Sequence, residues 1–140
     1  MLQPKYLKDK KRQKGRIKGI ATRGILLTKG SDYGLKALEA TNISASQIEA
    51  IVLTIKRNIK KQGTFKVRIF PDHPITKKPA EVRMGKGKGA PEYYVAKIKP
   101  GRMLFELGGV SHDLALESFR LVDAKLQIKT RVVMSKFASF

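Results

Sequence analysis

The fold is decided by one stretch, SASQIEAIVLTIKRNIKKQG (residues 44–63), which has the start, the periodicity and the stop of an amphipathic helix. Ser44 and Gln47 have the spacing of a capping box. Apolar residues recur at helical intervals along one face: Ile48, Ile51, Val52, Ile55 and Ile59. Gly63 is expected to end the helix. The stretch therefore predicts a helix that buries one face against a core.

A second helix is predicted after Ser111, which has the position and the side chain of an N-cap. Its inner stripe consists of Ala115, Phe119, Val122 and Leu126. Between and around the helices, short apolar or alternating runs predict strands over residues 24–28, 35–41, 64–70, 80–84, 93–98, 103–107 and 128–134. In the run 64–70 the residues expected to face the core are Phe65, Val67 and Ile69, and residues 71–74 are predicted to form a turn.

Two helices and six or seven strands, without a regular strand–helix–strand order, predict the α+β class. We expect a two-layer sandwich in which two helices pack on a mainly antiparallel or mixed sheet. A basic N-terminal arm and an extended Gly/Lys loop complete this prediction. The domain division is 1–20 for the arm, 21–134 for a single α+β domain and 135–140 for a short C-terminal tail.

The charge balance is that of a polyanion-binding protein. The chain of 140 residues has 30 Lys and Arg against 11 Asp and Glu, a formal net charge of +19. A net charge of this size opposes a compact fold by self-repulsion and is usually relieved by a partner, most often a nucleic acid. The alternative, that the charge only improves solubility, is the weaker interpretation.

The first 20 residues have charge without enough large apolar side chains to fold alone. We expect them to form an arm that becomes ordered against its partner, although a solvated tail has the same composition. The candidate RNA-binding residues of this arm are Lys5, Lys8, Lys10, Lys11, Arg12, Lys14, Arg16 and Lys18.

The segment Arg83 to Gly89 alternates glycine with cationic side chains between two strand-like runs. Glycine permits backbone conformations that are closed to other residues and lets a polyanion approach the peptide N–H groups. The segment therefore predicts a phosphate-binding loop, whereas the alternative is a flexible, solvated hairpin tip. Its candidate residues are Arg83, Met84, Gly85, Lys86, Gly87, Lys88 and Gly89.

Further cations on the folded part of the chain are candidates for RNA-facing positions. Those in the last turns of the first helix are explained equally well by the helix dipole and a solvated surface. The complete set is Lys56, Arg57, Lys60, Lys61, Lys66, Arg68, Lys77 and Lys78.

Nothing in the sequence has the pattern of a catalytic or metal site. The chain has two histidines and no cysteine, and its carboxylates are scattered singly. His73, beside Asp72, is better explained as a turn residue than as half of a catalytic dyad, and Asp113 beside His112 as a complement to the helix dipole. The glycine loop lacks the spacing of a nucleotide-binding fingerprint. We predict no enzyme activity, no cofactor, no metal and no small-molecule substrate.

Ten aromatic residues, most of them alternating into strands, do not make an exposed platform for stacking bases. The chain is expected to bind the RNA backbone and its shape instead. No apolar run approaches the length of a membrane span, and the N-terminus lacks the apolar region of a secretory signal. We therefore expect the mature sequence of a protein that has no membrane partner.

Short motifs along almost the whole chain resemble the bacterial-type L-sixteen family of large-subunit ribosomal proteins. The opening residues 1–5 and the basic segment 14–16 are similar to the start of that family, and residues 47–50 to the beginning of its first helix. Residues 68–72, 74–76, 78–79 and 82–89 resemble its central signature. Four later segments follow in the expected order: 91–93, 100–102, 108–110 and 128–130.

The resemblance implies a structural constituent of the large ribosomal subunit that binds rRNA and helps to organise the aminoacyl-tRNA site near the peptidyl-transferase centre. The implied partners are large-subunit rRNA, neighbouring ribosomal proteins and, transiently, aminoacyl-tRNA. A free RNA chaperone or nucleic-acid-compacting protein is the alternative. Lysine outnumbers arginine 21 to 9, which favours an AT-rich organelle genome. The expected location is a ribosome in the matrix of a mitochondrion, or less favoured a plastid, or in a bacterial cytoplasm.

Overall fold

The computed structural model describes residues 2–81, 85 and 87–135. Within these residues the chain forms two α-helices and seven β-strands. In chain order they are β1 (Tyr33–Ala37), β2 (Thr41–Ser44), α1 (Ala45–Ile59), β3 (Thr64–Val67), β4 (His73–Thr76), β5 (Pro91–Ile98), β6 (Met103–Gly108), α2 (His112–Asp123) and β7 (Thr130–Met134). The α+β class is therefore confirmed.

The described strands form two sheets in which neighbouring strands pair antiparallel. One sheet has the order β3-β6-β1-β7 and the other β2-β5-β4. In the first sheet β6 lies between β3 and β1, and each of its residues is buried. In the second sheet β5 lies between β2 and β4, so that His73 is directly opposite Val95.

Helix α1 begins as the sequence predicts. Ser44 Oγ accepts a hydrogen bond from the N–H of Gln47, and the Gln47 side chain accepts one from the N–H of Ser44. This capping box makes the last residue of β2 the N-cap of the helix, so the strand and the helix join without a loop. The predicted inner face is buried at Ile48, Ile51, Ile55 and Ile59, and Val52 is half-buried against it.

The end of α1 lies before the predicted stop. The helix finishes at Ile59, and Lys60 and Lys61 follow with φ angles of 49° and 66°. Gly63 has a different role, because a Cβ at that position would lie 2.9 Å from the carbonyl carbon of Gly109. It is the close approach of two chain segments, and not the helix stop, that requires glycine there.

Helix α2 has the predicted cap, with Ser111 Oγ accepting from the N–H of Leu114 at 3.3 Å. It lies against α1, where Asn58 Nδ2 donates to Ser118 Oγ at 2.6 Å. The predicted stripe of α2 is confirmed at three buried positions, whereas Leu126 lies beyond the helix and packs on the core from there.

Several predicted strands are corrected by the structure. Residues 24–28 form no strand but cross the first sheet, where Leu27 packs so closely that a Cβ on Gly34 would lie 2.5 Å from Leu27 Cδ2. The predicted strand 35–41 is divided into β1 and β2 by a turn at 38–40. Of the predicted strand 80–84, residues 80 and 81 lie in a turn, and 82–84 are outside the described residues.

The predicted turn at 71–74 is wrong in its second half, because His73 begins β4. β4 is the last strand in the described order of its sheet, and an edge strand accommodates a proline such as Pro74. The core alternation predicted for 64–70 is also wrong at Val67, which is 38% exposed where β3 ends. Ile69 is buried as predicted.

The N-terminal segment 2–20 has no helix or strand. At its start, the N–H of Leu2 donates to Glu49 Oε1 of α1 at 2.8 Å. At its end, the N–H of Ala21 donates to Pro100 O at 2.9 Å. Between these two points the segment crosses the second sheet, and this path determines which cations come together.

Candidate nucleic-acid interface

The eight predicted arm cations are all exposed, and the arm contacts the glycine loop and strand β5 through three of its residues. Lys11 Nζ donates to Lys88 O at 2.9 Å. In return, Lys88 Nζ donates to Arg12 O, and Lys97 Nζ of β5 donates to Lys14 O. The arm and the loop therefore lie side by side, although the residues of their two contacts are 77 and 76 positions apart in the sequence.

Of the glycine loop the structure describes residue 85 and residues 87–89. Gly85 and Gly87 have φ angles of 110° and 89°, in the region that favours glycine. At Gly89 the reason is space, because a Cβ would lie 2.9 Å from the carbonyl carbon of Lys77. Arg83, Met84 and Lys86, also predicted to contact RNA, lie outside the described residues.

Two clefts open between the arm and the body of the protein. The first, which we call the arm cleft, has a volume of about 740 Å³ and lies between the arm and strands β3 and β5. Its cations include Arg23, Lys99 and Arg102, and the carboxylate of Asp72 also lines it. The arm cleft is therefore basic but partly compensated.

The second cleft, which we call the helix-end cleft, also has a volume of about 740 Å³ and lies at the N-terminus of α1. Its cations are Arg12 and Lys14 of the arm and Lys88 of the loop. The described residues that line it include no Asp or Glu. The first turn of α1 has no acidic residue either, so the positive end of the helix dipole faces this cleft uncompensated.

His73, which the sequence assigns only to a turn, lines both clefts. Its side chain is 6% exposed, and Nε2 has no hydrogen-bond partner among the residues that the structure describes. Burial lowers the pKa of His73, and the charges of Lys97, Arg12 and Lys88 lower it further, while Asp72 opposes them. The imidazole is thus a neutral group at neutral pH, surrounded by cations from three elements.

On the first sheet a different arrangement holds the segment 24–31 in place. Glu106 of β6 is fully buried and forms an ion pair with Arg68. It also accepts from the N–H of Thr28 at 3.1 Å, from the Thr28 hydroxyl, and from Ser31 Oγ at 2.9 Å. We call this set of four residues the Glu106 cluster.

Burial alone would raise the pKa of Glu106, but the hydrogen bonds from Thr28, Ser31 and Arg68 outweigh it and lower the pKa. Glu106 is therefore ionised in the folded protein. Arg68 also donates from Nη1 to Leu26 O at 3.0 Å. This cation, predicted to face RNA, is used inside the protein.

The remaining predicted cations are distributed over other surfaces. Lys56, Arg57, Lys60 and Lys61 are exposed at the C-terminal end of α1, about 20 Å from its N-terminus. Lys66 is exposed near the Glu106 cluster, with Nζ 3.3 Å from Lys29 O. Lys77 is exposed, and Lys78 Nζ donates to Gly85 O. The structure therefore brings the arm and the loop together but leaves the α1 C-terminal cations apart.

The sequence-based prediction lacks the arm-cleft cations Arg23, Lys99 and Arg102 and three further residues of the interface. The three are His73, Lys97, and Tyr93, which is 40% exposed and lines the helix-end cleft. His73 and Lys97 have no local signal, because their relevance comes from the path of the arm.

Within the described parts of the chain, no group of three or more His, Asp or Glu has the arrangement of a metal site. In the same residues, no helix combines the length and apolarity that crossing a bilayer requires.

A comparison with protein families identifies the class of protein, which the basic α+β fold alone does not determine. Residues 4–133 match the family model of ribosomal protein L16p/L10e. Because the match covers nearly the whole chain, the protein belongs to this family of ribosomal proteins. Membership supports a structural role in the large ribosomal subunit and a location on the ribosome.

Proposed function

We propose that the protein binds large-subunit rRNA and helps to organise the aminoacyl-tRNA site near the peptidyl-transferase centre. Its partners in this proposal are rRNA, neighbouring ribosomal proteins and, transiently, aminoacyl-tRNA. The observation that carries the proposal is the set of contacts of the arm with the loop and with β5, which brings Lys11, Arg12, Lys14, Lys88 and Lys97 together. Cations that are brought together repel each other until a polyanion neutralises them.

The residues proposed to contact RNA are the eight arm cations and the glycine loop from Arg83 to Gly89. The outer part of the surface is formed by Lys56, Arg57, Lys60, Lys61, Lys66, Lys77 and Lys78. Arg68 is proposed to act indirectly, by holding the segment 24–31 through the Glu106 cluster. Phosphate contacts of this kind set the position of RNA and do not read its sequence.

The arm 1–20, the domain 21–134 and the tail 135–140 are proposed as separate functional parts. The lack of a helix or strand in residues 2–20 and the bond from the Ala21 N–H to Pro100 O, at 2.9 Å, support the first boundary. A mitochondrial ribosome is the proposed location, supported by the excess of lysine over arginine. No enzymatic role is proposed, and no cofactor, small-molecule substrate or membrane partner.

The test is incorporation into large subunits with the arm cations removed. The variant combines Lys11→Gln, Arg12→Gln and Lys14→Gln, and the matched control combines Lys125→Gln, Lys129→Gln and Arg131→Gln. Both remove three exposed cations, so the change in net charge is the same. Large subunits reconstituted with each protein are sedimented in high salt, and the protein is quantified per subunit.

We expect one copy per subunit for the wild type and the control, and strongly reduced occupancy for the arm variant. Equal occupancy of the arm variant would contradict the role of the arm. Absence of the wild-type protein from subunits in high salt would instead support a free RNA chaperone.

The tRNA part of the proposal needs a separate test on the loop. Arg83→Ala, Lys86→Ala and Lys88→Ala together remove the charges and keep the glycines. Removal of three charge-assisted hydrogen bonds would weaken the local interaction by about a hundredfold. The readout is aminoacyl-tRNA binding and peptide-bond formation on fully occupied subunits, and normal values for both would reject a role of the loop in the tRNA site.

A further inference from the structure

The helix-end cleft combines two independent features that favour an anion. The first is the N-terminus of α1, where Ser44, Ser46 and Gln47 line the cleft and the first turn has no acidic residue. Backbone N–H groups and the dipole at the start of a 15-residue helix attract negative charge.

The second feature is the imidazole of His73, which stands in the wall of the same cleft. It is more than nine-tenths buried, and its Nε2 atom lacks a hydrogen-bond partner within the described part of the chain. A buried polar atom without a partner is costly and uncommon in folded proteins. Because the atom is almost inaccessible as the ring stands, pairing with an acceptor in the cleft requires the imidazole to turn toward it.

We propose that the helix-end cleft is a binding site for a single phosphate group of the RNA backbone, held by the α1 N-terminus, Arg12, Lys14 and Lys88, with His73 Nε2 as a hydrogen-bond donor. This site rests on the proposed function, because it names the place where one RNA strand bridges the arm and the loop. It assigns to His73 the role of a hydrogen-bond donor to the phosphate, a role that the positive charge of the interface does not imply.

The shape of the cleft supports a phosphodiester in preference to a small inorganic anion. A volume of about 740 Å³ is much larger than one phosphate and leaves room for the flanking sugars. Tyr93, 40% exposed, lines the same cleft and offers an aromatic face to a ribose or a base.

Occupation of the site must change the protonation of His73. In the free protein, burial and the charges of Lys97, Arg12 and Lys88 keep its pKa below the ordinary value, against the opposing charge of Asp72. A bound phosphate brings a negative charge to the imidazole and raises its pKa. Binding therefore takes up a proton, so affinity for RNA must rise as the pH falls through the pKa of the bound state.

The first measurement follows the two histidines by NMR in the full-length protein. His73 and His112 are titrated from about pH 8 to about pH 5 alone, with a short RNA hairpin, and with inorganic phosphate. We expect the hairpin to raise the pKa of His73. Inorganic phosphate should have the same effect only at much higher concentration.

The second measurement is the affinity for the same hairpin as a function of pH. For wild type, affinity should rise about tenfold for each unit by which binding raises the pKa of His73. His73→Gln should remove this increase. Arg12→Gln, which changes an exposed side chain of the arm, should weaken binding about tenfold. The control Arg131→Gln, on β7 of the other sheet, should change affinity by less than about twofold.

The outcomes separate the site from the proposed function. If the hairpin binds wild type but the His73 titration is unmoved and Arg12→Gln behaves like Arg131→Gln, the site is rejected while RNA binding stands. If the hairpin does not bind wild type at low salt, RNA binding itself is rejected. If inorganic phosphate binds as tightly as the hairpin and displaces it, the ligand is a free phosphate compound and the RNA assignment is wrong.

Discussion

The Glu106 cluster and the helix-end cleft use cations in opposite ways. In the cluster, Arg68 is paired with a buried carboxylate and with Leu26 O, so its charge is neutralised within the protein. In the cleft, Arg12, Lys14 and Lys88 meet the positive end of α1 without a carboxylate among the described lining residues. Where the arm meets the loop, the Lys11 ammonium group bonds to a backbone carbonyl oxygen, Lys88 O, at 2.9 Å.

The difference shows that the number of cations does not define a binding surface. The cations behind the net charge of +19 are of two kinds. Some stabilise the fold, and others lie in a cleft whose described lining residues include no carboxylate. Only the second kind gains free energy when a polyanion arrives, because a paired cation must first give up its carboxylate. The comparison predicts separable effects on stability and on RNA binding.

The largest expected effect is on stability, from Arg68→Met. This change leaves Glu106 ionised, buried and without its ion pair, which typically costs about 3 kcal/mol or more in the free energy of unfolding. Lys66→Met, which removes a nearby exposed cation, should change stability by less than about 1 kcal/mol. Urea denaturation measures both, and equal stabilities for the two variants would show that the Glu106 cluster does not hold the fold.

A smaller effect is expected in acid. Because the pKa of Glu106 is lowered in the folded state, the stability from its ionisation is complete above the ordinary pKa of 4.5. It is lost as the pH falls through the folded-state pKa. Glu106→Gln has no carboxylate to protonate, so its stability should fall less steeply than that of wild type below the ordinary pKa. Parallel pH profiles from thermal unfolding would contradict this assignment.

The smallest expected effect comes from His73 in the free protein. Since its pKa is lowered on folding, the unfolded chain binds the proton first. Stability therefore decreases as the pH falls from the ordinary pKa of 6.5 to the folded-state value. His73→Gln should lose this part of the pH dependence, and saturating RNA should weaken it in the wild type, because a bound phosphate raises the folded-state pKa of His73. An unchanged dependence with RNA would place the bound phosphate away from the imidazole.

The sequence is sufficient to predict the elements whose determinants are local. Helix α1 has its cap and its periodic face within one stretch, and the same holds for the start of α2, whereas the end of α1 at Ile59 lies before the predicted glycine. β4 escapes prediction because the prolines around His73 are typical of a turn, and an edge strand tolerates them. The strand predicted over residues 24–28 is wrong, because Leu27 packs against Gly34 of the first sheet while Ile25 and Leu26 are exposed, so the apolar run does not mark a pairing strand.

The site is predictable only in its charged components. The arm and loop cations follow from composition, but their side-by-side position depends on contacts such as that between Lys11 and Lys88, 77 residues apart. The same reason hides the Glu106 cluster, whose carboxylate and Thr28 are 78 residues apart. His73 has no sequence signal as a phosphate ligand, because the lack of a partner for its Nε2 atom among the described residues is a property of the folded cleft.

The salt dependence of RNA affinity tests the central claim most directly. Removing a cation that binds one phosphate reduces the slope of log K against log salt by about 0.7 to 0.9. We expect the Lys11, Arg12 and Lys14 triple glutamine variant to lower the slope by about 2 to 3 relative to wild type. The Lys125, Lys129 and Arg131 triple variant should keep the wild-type slope. An equal reduction in both would contradict the account, because net charge, and not the surface where arm and loop meet, would then determine binding.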